Sequence, residues 1–297
     1  MPVTRCLGAR ICSRIVAHDR SRRYRADARA RAARSALAVA LTVLFLVPLW
    51  LLAVGSLRPV GAPPVEPELF PQDPAWGNYA EAFRTVPLAR YAANSVLVAA
   101  VAVPVGVVVA SWTGFAIARL PRRQSAFLVG VSAAAALVPL TALLVGRVAI
   151  WRTLGLAGTP VPLMVSGLIG VSPVTALLFA WSYRRLPTEF FDLAAEAGLS
   201  PVATWWWVTV PLTRPVTAAA TALAFIASWG NFVEPLVVLT DERWFTLPLG
   251  LRSLSALDQP FQPLMLAGAI VAIVPVVLAF LVVLWGTAGH ARRQVTS

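Results

Sequence analysis

Charged positions are few and clustered along this chain, and between them it runs apolar for lengths of about 20 residues, the span an α-helix needs to cross the hydrocarbon of a bilayer. Six such stretches stand out, at about 35–57, 91–118, 124–146, 160–183, 212–239 and 263–286. The first closes at Arg58, the second lies between Arg90 and Arg119, and the third between Arg123 and Arg147. The pattern predicts an all-α polytopic membrane protein with six transmembrane helices. Segments 58–90, 184–211 and 240–262 are long enough to carry structure of their own. The first is Pro-rich and then reads Trp76-Gly-Asn-Tyr-Ala-Glu-Ala-Phe83, which predicts an extended loop ending in a short helix. Pro48, Pro104, Pro139, Pro173, Pro235 and Pro275 fall within the spans. There they are tolerated as kinks when neighbours satisfy the freed backbone groups.

Composition agrees with this reading: 13% of residues are charged, 58% are hydrophobic, and mean hydropathy is +0.74, against about a quarter charged in soluble domains. The net charge of +12 resembles a nucleic-acid signature until it is mapped. Residues 1–36 hold ten Arg against Asp19 and Asp27, and so supply +8 of it. Nucleic-acid binding needs a basic stripe on a folded face, and this is a basic leader ahead of an apolar span. Segment 1–34 reads as an uncleaved cytoplasmic tail, with a cleaved targeting peptide or an amphipathic surface segment as alternatives.

Cytoplasmic loops carry the excess of basic residues. With the N-terminus inside, eighteen Arg fall on the cytoplasmic side and seven outside, Arg147 being counted among the outer ones. That predicts both termini inside, with residues 290–297 as a cytoplasmic C-terminal tail.

All 25 basic residues are Arg. A phosphate-binding P-loop needs its Lys on the phosphates, so ATP hydrolysis of that type has to come from another polypeptide, and no cofactor is expected in this chain. Cys6 and Cys12 lie in the leader, giving neither a disulfide framework nor a metal cluster with His18 and His290. No catalytic set is visible, no metal site is expected, and the chain does not read as an enzyme.

The segment Leu186-Pro-Thr-Glu-Phe-Phe-Asp-Leu-Ala-Ala-Glu-Ala-Gly198 carries helix signals: Pro187 and Thr188 at its start, early carboxylates, and Gly198 at its C-terminal end. Glu189, Asp192 and Glu196 stand at i, i+3 and i+7, along one helical face. A second stretch, Ser200–Val210, contains Trp205, Trp206 and Trp207, whose rings suit a membrane interface, and Pro211 follows. The three acids are either a solvated face or a docking surface, by which a cytoplasmic partner would push the fourth and fifth spans together.

This loop resembles the Glu-Ala-Ala loop of binding-protein-dependent ATP-binding-cassette (ABC) importer permeases. The matching residues are Asp192, Leu193, Ala194, Ala197 and Gly198, with Val210-Pro211-Leu212 following. Asp192, Leu193 and Ala197 replace the family's Glu, Ala and Asp. Trp229-Gly-Asn-Phe232 with Glu234-Pro-Leu236, Thr246-Leu-Pro-Leu-Gly-Leu251, Asn78-Tyr79, Asn94-Ser95 and Gly114-Phe-Ala116 with Ala118-Arg119 are similar to the carbohydrate branch, which includes the maltose-importer permease.

The resemblance covers about residues 36–290 and implies a MetI-like permease fold in a bacterial plasma membrane. It implies as partners a second permease subunit, a cytoplasmic ATPase dimer and an extracytoplasmic solute-binding protein, with membrane lipid around the helices. It assigns ATPase coupling to Glu189, Asp192, Ala194, Gly198 and Pro211. Trp229, Asn231 and Glu234 are candidates for the path of a sugar or related polar solute. Glu234 is otherwise a residue of the outer interface, and Trp229 an interfacial anchor. The rival readings are an ion-coupled secondary carrier or channel, which would show paired ionisable residues in the membrane, and a non-transporting scaffold.

Overall fold

The computed structural model describes residues 32–61, 69–71, 73–169, 173–255 and 261–295, apart from the side chains of residues 140, 167–169, 284 and 286–295. Cys6, Cys12 and His18, and the leader as far as residue 31, lie outside the described residues. No strand occurs among those described. Among the described residues, three helices are long and apolar enough to cross a membrane: α1 (Ala32–Ser56), α3 (Leu88–Arg119) and the stretch Gln262–Val283. The last belongs to α14 (Gln262–Val295), whose helix continues through much of the expected C-terminal tail.

The chain divides into two compact units, Met1–Gly55 with Pro64–Gln72, and Ser56–Pro63 with Asp73–Ser297. In the first, α1 is apolar all round, as a helix bathed in hydrocarbon must be; Leu44 and Phe45 are 64% and 72% exposed. The Trp50 indole donates to the Leu69 carbonyl at 2.8 Å and meets the Phe70 ring edge-on.

The second unit is organised around α3. It packs along α6 (Val161–Ile169), α7 (Pro173–Tyr183) and α11 (Arg214–Trp229). Its small residues set the approach distance, because between apolar helices close backbone contact replaces the hydrophobic drive available in water. A Cβ built on Gly114 would stand 2.5 Å from Phe179 Cβ and 2.8 Å from the Ala180 backbone nitrogen. Pro104 lies within α3 without ending it.

Helix α2 (Gly77–Thr85) is the short helix expected before the second span. Asn78 holds it by donating to the carbonyls of Ser56 and Arg58, at 2.8 and 2.7 Å. Segment 240–262 contains a 3₁₀ turn, Glu242–Trp244, and a helix that the sequence pattern does not predict, α13 (Leu247–Ser255). Asn94 donates to the carbonyls of Arg243 and Phe245 at 2.8 and 3.0 Å, and the Ser95 hydroxyl accepts from Leu247 N–H at 2.8 Å. The Asn94-Ser95 pair of the sequence therefore clamps this loop to the start of α3.

Two of the expected spans, the third and the fifth, are not single rods. The third divides into α4 (Arg122–Ala136) and α5 (Leu140–Thr153). Pro139 lacks an N–H and biases Val138 away from helical geometry, which accounts for the break. The fourth contains α6 and α7, with residues 170–172 between them outside the described residues. The fifth starts at Arg214 rather than Leu212 and stops at Trp229, and the chain re-enters helix as α12 (Val233–Val238). Pro235 lies in the first turn of α12, where its missing N–H breaks no intrahelical bond. It begins a helix here instead of kinking one.

Candidate functional site

Segment 184–211 folds as two short helices about a glycine turn. Helix α8 (Glu189–Glu196) is followed by Gly198 at φ +70°, a left-handed conformation that costs a residue with a Cβ about 1–2 kcal/mol. The turn closes with Gly198 N–H donating to Ala195 O and Leu199 N–H to Ala194 O. Helix α9 (Pro201–Thr204) then starts from Ser200, whose hydroxyl accepts from Ala203 N–H at 3.2 Å. One wide π turn, Trp205–Thr209, leads into α10 (Val210–Leu212), which contains Pro211. The run Pro201–Leu212 meets α11 at 90°.

Alternate faces of α8 have opposite environments. Phe191 and Ala194 are buried, and Phe191 joins a cluster with Phe115, Tyr183 and Trp205. The Arg119 guanidinium, at the end of α3, lies 4.1 Å over the Phe191 ring. Glu189, Asp192 and Glu196 are exposed, with Phe190 and Leu193 beside them.

Trp205 departs from the interfacial role given to all three tryptophans. It is 6% exposed, its indole donates to Ser111 Oγ at 2.9 Å, and its ring packs on Trp112. Trp206 and Trp207 are exposed. A second tie comes from Arg184, which donates to Ser125 Oγ, while Ser125 donates to Ile117 O at 2.6 Å. The acids thus stand on a small fold whose underside is fixed to α3 and α7.

A second feature is a cavity of about 600 Å³ among α3, α5, α6, α7, α11 and α12. Most of its wall is aliphatic. Asn231, Glu234, Arg147 and Thr246 bring polar groups to it. Asn231 donates from Nδ2 to Glu234 Oε2 at 3.1 Å and accepts from Glu234 N–H at 3.4 Å. Arg147 Nη2 lies 2.8 Å from Glu234 Oε1, with the two side chains only 11% and 10% exposed. That pair is close enough for charge attraction but not aligned as a hydrogen bond. Arg147 Nε and Thr246 Oγ1 likewise have no hydrogen-bond partner.

Asn231 and Glu234 therefore lie together on the cavity wall. Trp229 does not join them. It is 4% exposed, stacks on Phe225 and donates to Ala272 O at 2.9 Å, joining α11 to α14 and leaving no ring face for a solute.

Arg147 was counted with the outer loop, yet it lies inside α5 and is buried. A signal was present in the sequence: apolar residues 143–146 and 148–151 flank it on both sides. The run reads as one amphiphilic turn rather than as the end of a span. No group of three or more metal-binding side chains occurs among the described residues.

Residues 73–294 match the model of a family described as the binding-protein-dependent transport system inner membrane component. The chain is 28% identical over 213 residues to the sulfoquinovosyl glycerol transport system permease protein of Agrobacterium fabrum, covering 72% of this chain and 75% of that one. It is 27% identical over 203 residues to the lactose transport system permease protein of Rhizobium radiobacter, covering 68% and 74%. Among solved structures, one chain of a bacterial ABC transporter involved in the import of the acidic polysaccharide alginate superposes with a TM-score of 0.71 at 16% identity, covering 84% of this chain and 94% of that one.

Proposed function

Because this chain belongs to the binding-protein-dependent transport system inner membrane component family and is a permease subunit of an ABC importer, we propose that it forms, with a second permease subunit, the translocation path for a sugar or related polar solute. A cytoplasmic ATPase dimer drives it and an extracytoplasmic solute-binding protein delivers the solute. The absence of Lys supports an ATPase site on another chain, with ATP bound there and no cofactor here. The arginine distribution supports cytoplasmic termini and a cytoplasmic 184–211 loop.

One observation carries the coupling role: α8 buries Phe191 in a cluster with Phe115 of α3 and Tyr183 of α7 while Glu189 and Asp192 face outward. A partner gripping the acidic face moves the helices below it, because the buried face is packed and does not slide freely. Ala194 is small and buried on the same side of α8 as Phe191. Gly198 turns the chain, and Pro211 lies in the last turn before the elbow into α11. Closure of the ATPase then shifts the balance between outward- and inward-open states by its differential affinity for the two.

The test is made on the complete assembly in proteoliposomes. Glu189→Arg with Asp192→Arg is expected to cut solute uptake per ATP hydrolysed, with the subunits still co-purifying in part. Unchanged coupling would remove the docking role, and uptake that runs on an ion gradient without ATP would remove the importer mechanism.

A further inference from the structure

We infer that Arg147, Glu234 and Asn231 form a contact point for an uncharged polyhydroxylated solute; this deepens the transport reading above and rests on it. The three side chains share the wall of one cavity, whose volume of about 600 Å³ lies within the range of small-molecule sites. Their chemistry is unusual for a structural brace. A buried ion pair is retained at a desolvation cost that its own attraction repays only when geometry is good and the remaining hydrogen bonds are made.

Here they are not made. Arg147 Nη2 and Glu234 Oε1 are 2.8 Å apart but misaligned, and Arg147 Nε, also buried, has no partner. Thr246 Oγ1, on the same wall, has none either. Donor and acceptor capacity is therefore left over, side by side, in a mostly aliphatic chamber.

A sugar hydroxyl both donates and accepts, so one or two vicinal hydroxyls use that capacity where an aliphatic or purely anionic group does not. The formal charges of Arg147 and Glu234 cancel. A charged solute group entering this mostly aliphatic chamber loses its hydration, and the neutralised pair gives it no net attraction to offset that loss. The arrangement therefore disfavours carboxylate, sulfonate and ammonium groups alike and favours the neutral member of a sugar series.

The experiment measures ATP-dependent uptake by the complete assembly in proteoliposomes, using labelled neutral mono- and disaccharides with their matching uronic acids and amino sugars. The unaltered assembly is expected to favour the neutral members. Glu234→Gln leaves Arg147 uncompensated and is expected to move the uronate-to-neutral ratio upward by at least about tenfold, since an unpaired buried charge is costly. Arg147→Gln moves the amino-sugar-to-neutral ratio upward. Arg147→Gln combined with Glu234→Gln returns the preference to neutral sugars and covers the case in which a single variant assembles poorly.

A wild-type preference for uronates or amino sugars overturns the assignment. So do variants that lose uptake of all members in equal proportion, as a brace alone would produce. Absence of ATP-dependent sugar uptake by the unaltered assembly overturns the transport reading and this one with it; ATP-dependent uptake with an unmoved charge preference overturns this one alone.

Discussion

Ser111 on α3 and Trp205 in the 184–211 loop, far apart in sequence, meet through a 2.9 Å hydrogen bond from the indole N–H to the hydroxyl oxygen. The same hydroxyl lies 2.6 Å from that of Tyr183, the last residue of α7. One serine thus joins the loop to both helices beneath it. Ser111→Ala removes the acceptor from a buried donor, a change that costs about 1–3 kcal/mol. The expected outcome is a lower Tm of the purified assembly together with less uptake per ATP hydrolysed. A variant unchanged in both would show that Phe191 and Arg184 hold the loop without it.

Gly114 sets the distance between α3 and α7. Gly114→Val places carbon against Phe179 and the Ala180 backbone, and overpacking of this kind costs about 1–3 kcal/mol or more. Gly130 in α4 is the internal comparison, since a Cβ there meets nothing within 4 Å. Gly130→Ala is expected to be neutral, or stabilising by up to about 1 kcal/mol. Thermal denaturation of the two variants side by side tests the contrast, and equal effects would refute it.

At Gly198 the penalty is in the backbone, because a Cβ there also meets open space while φ is +70°. Gly198→Ala is expected to cost about 1–2 kcal/mol locally. Gly198→Asn should cost less, since Asn visits the left-handed region more readily. Ranked coupling ratios of Gly above Asn above Ala would bear this out; an Ala variant as well coupled as the parent would not.

Glu234→Ala strands Arg147 in a buried site, and removing one partner of such a pair costs about 3–5 kcal/mol. Replacing both by leucine is expected to recover most of that loss. A double-mutant cycle on Tm measures the coupling. Additive effects would mean that the two charges do not sense one another.

Much of this was legible from the lengths of the apolar runs. The stretches at 91–118 and 263–286 correspond to unbroken helices, α3 and α14, because an uninterrupted apolar run has no competing way to satisfy its backbone. The 186–198 knuckle was legible from Thr188, the early acids and Gly198, all local signals. What was not legible depended on tertiary context. Hydropathy at 212–239 is continuous across Gly230, and only the folded chain shows Pro235 opening a new helix there.

Arg147 reads as a loop residue because it closes the uncharged run that starts at Gln124, and its partner is 87 positions away. Trp229 reads from the sequence as a candidate for the solute path or an interfacial anchor, whereas its indole turns into α14. Paired ionisable groups were the mark expected of an ion-coupled carrier. One such buried pair, Arg147 with Glu234, occurs among the described residues, and the family match over residues 73–294 assigns the chain to the importers all the same.

The right angle between Pro201–Leu212 and α11 makes this part of the molecule a bell crank. Its short arm begins at Pro201 and carries Trp206 and Trp207 midway along it. Its long arm is the sixteen residues of α11, about 24 Å at the rise of an α-helix, and it ends two residues before Asn231. Under the coupling proposed above, a tug on the short arm reaches the chamber wall as a swing of Asn231 and Glu234 relative to Arg147, which rides on a different helix.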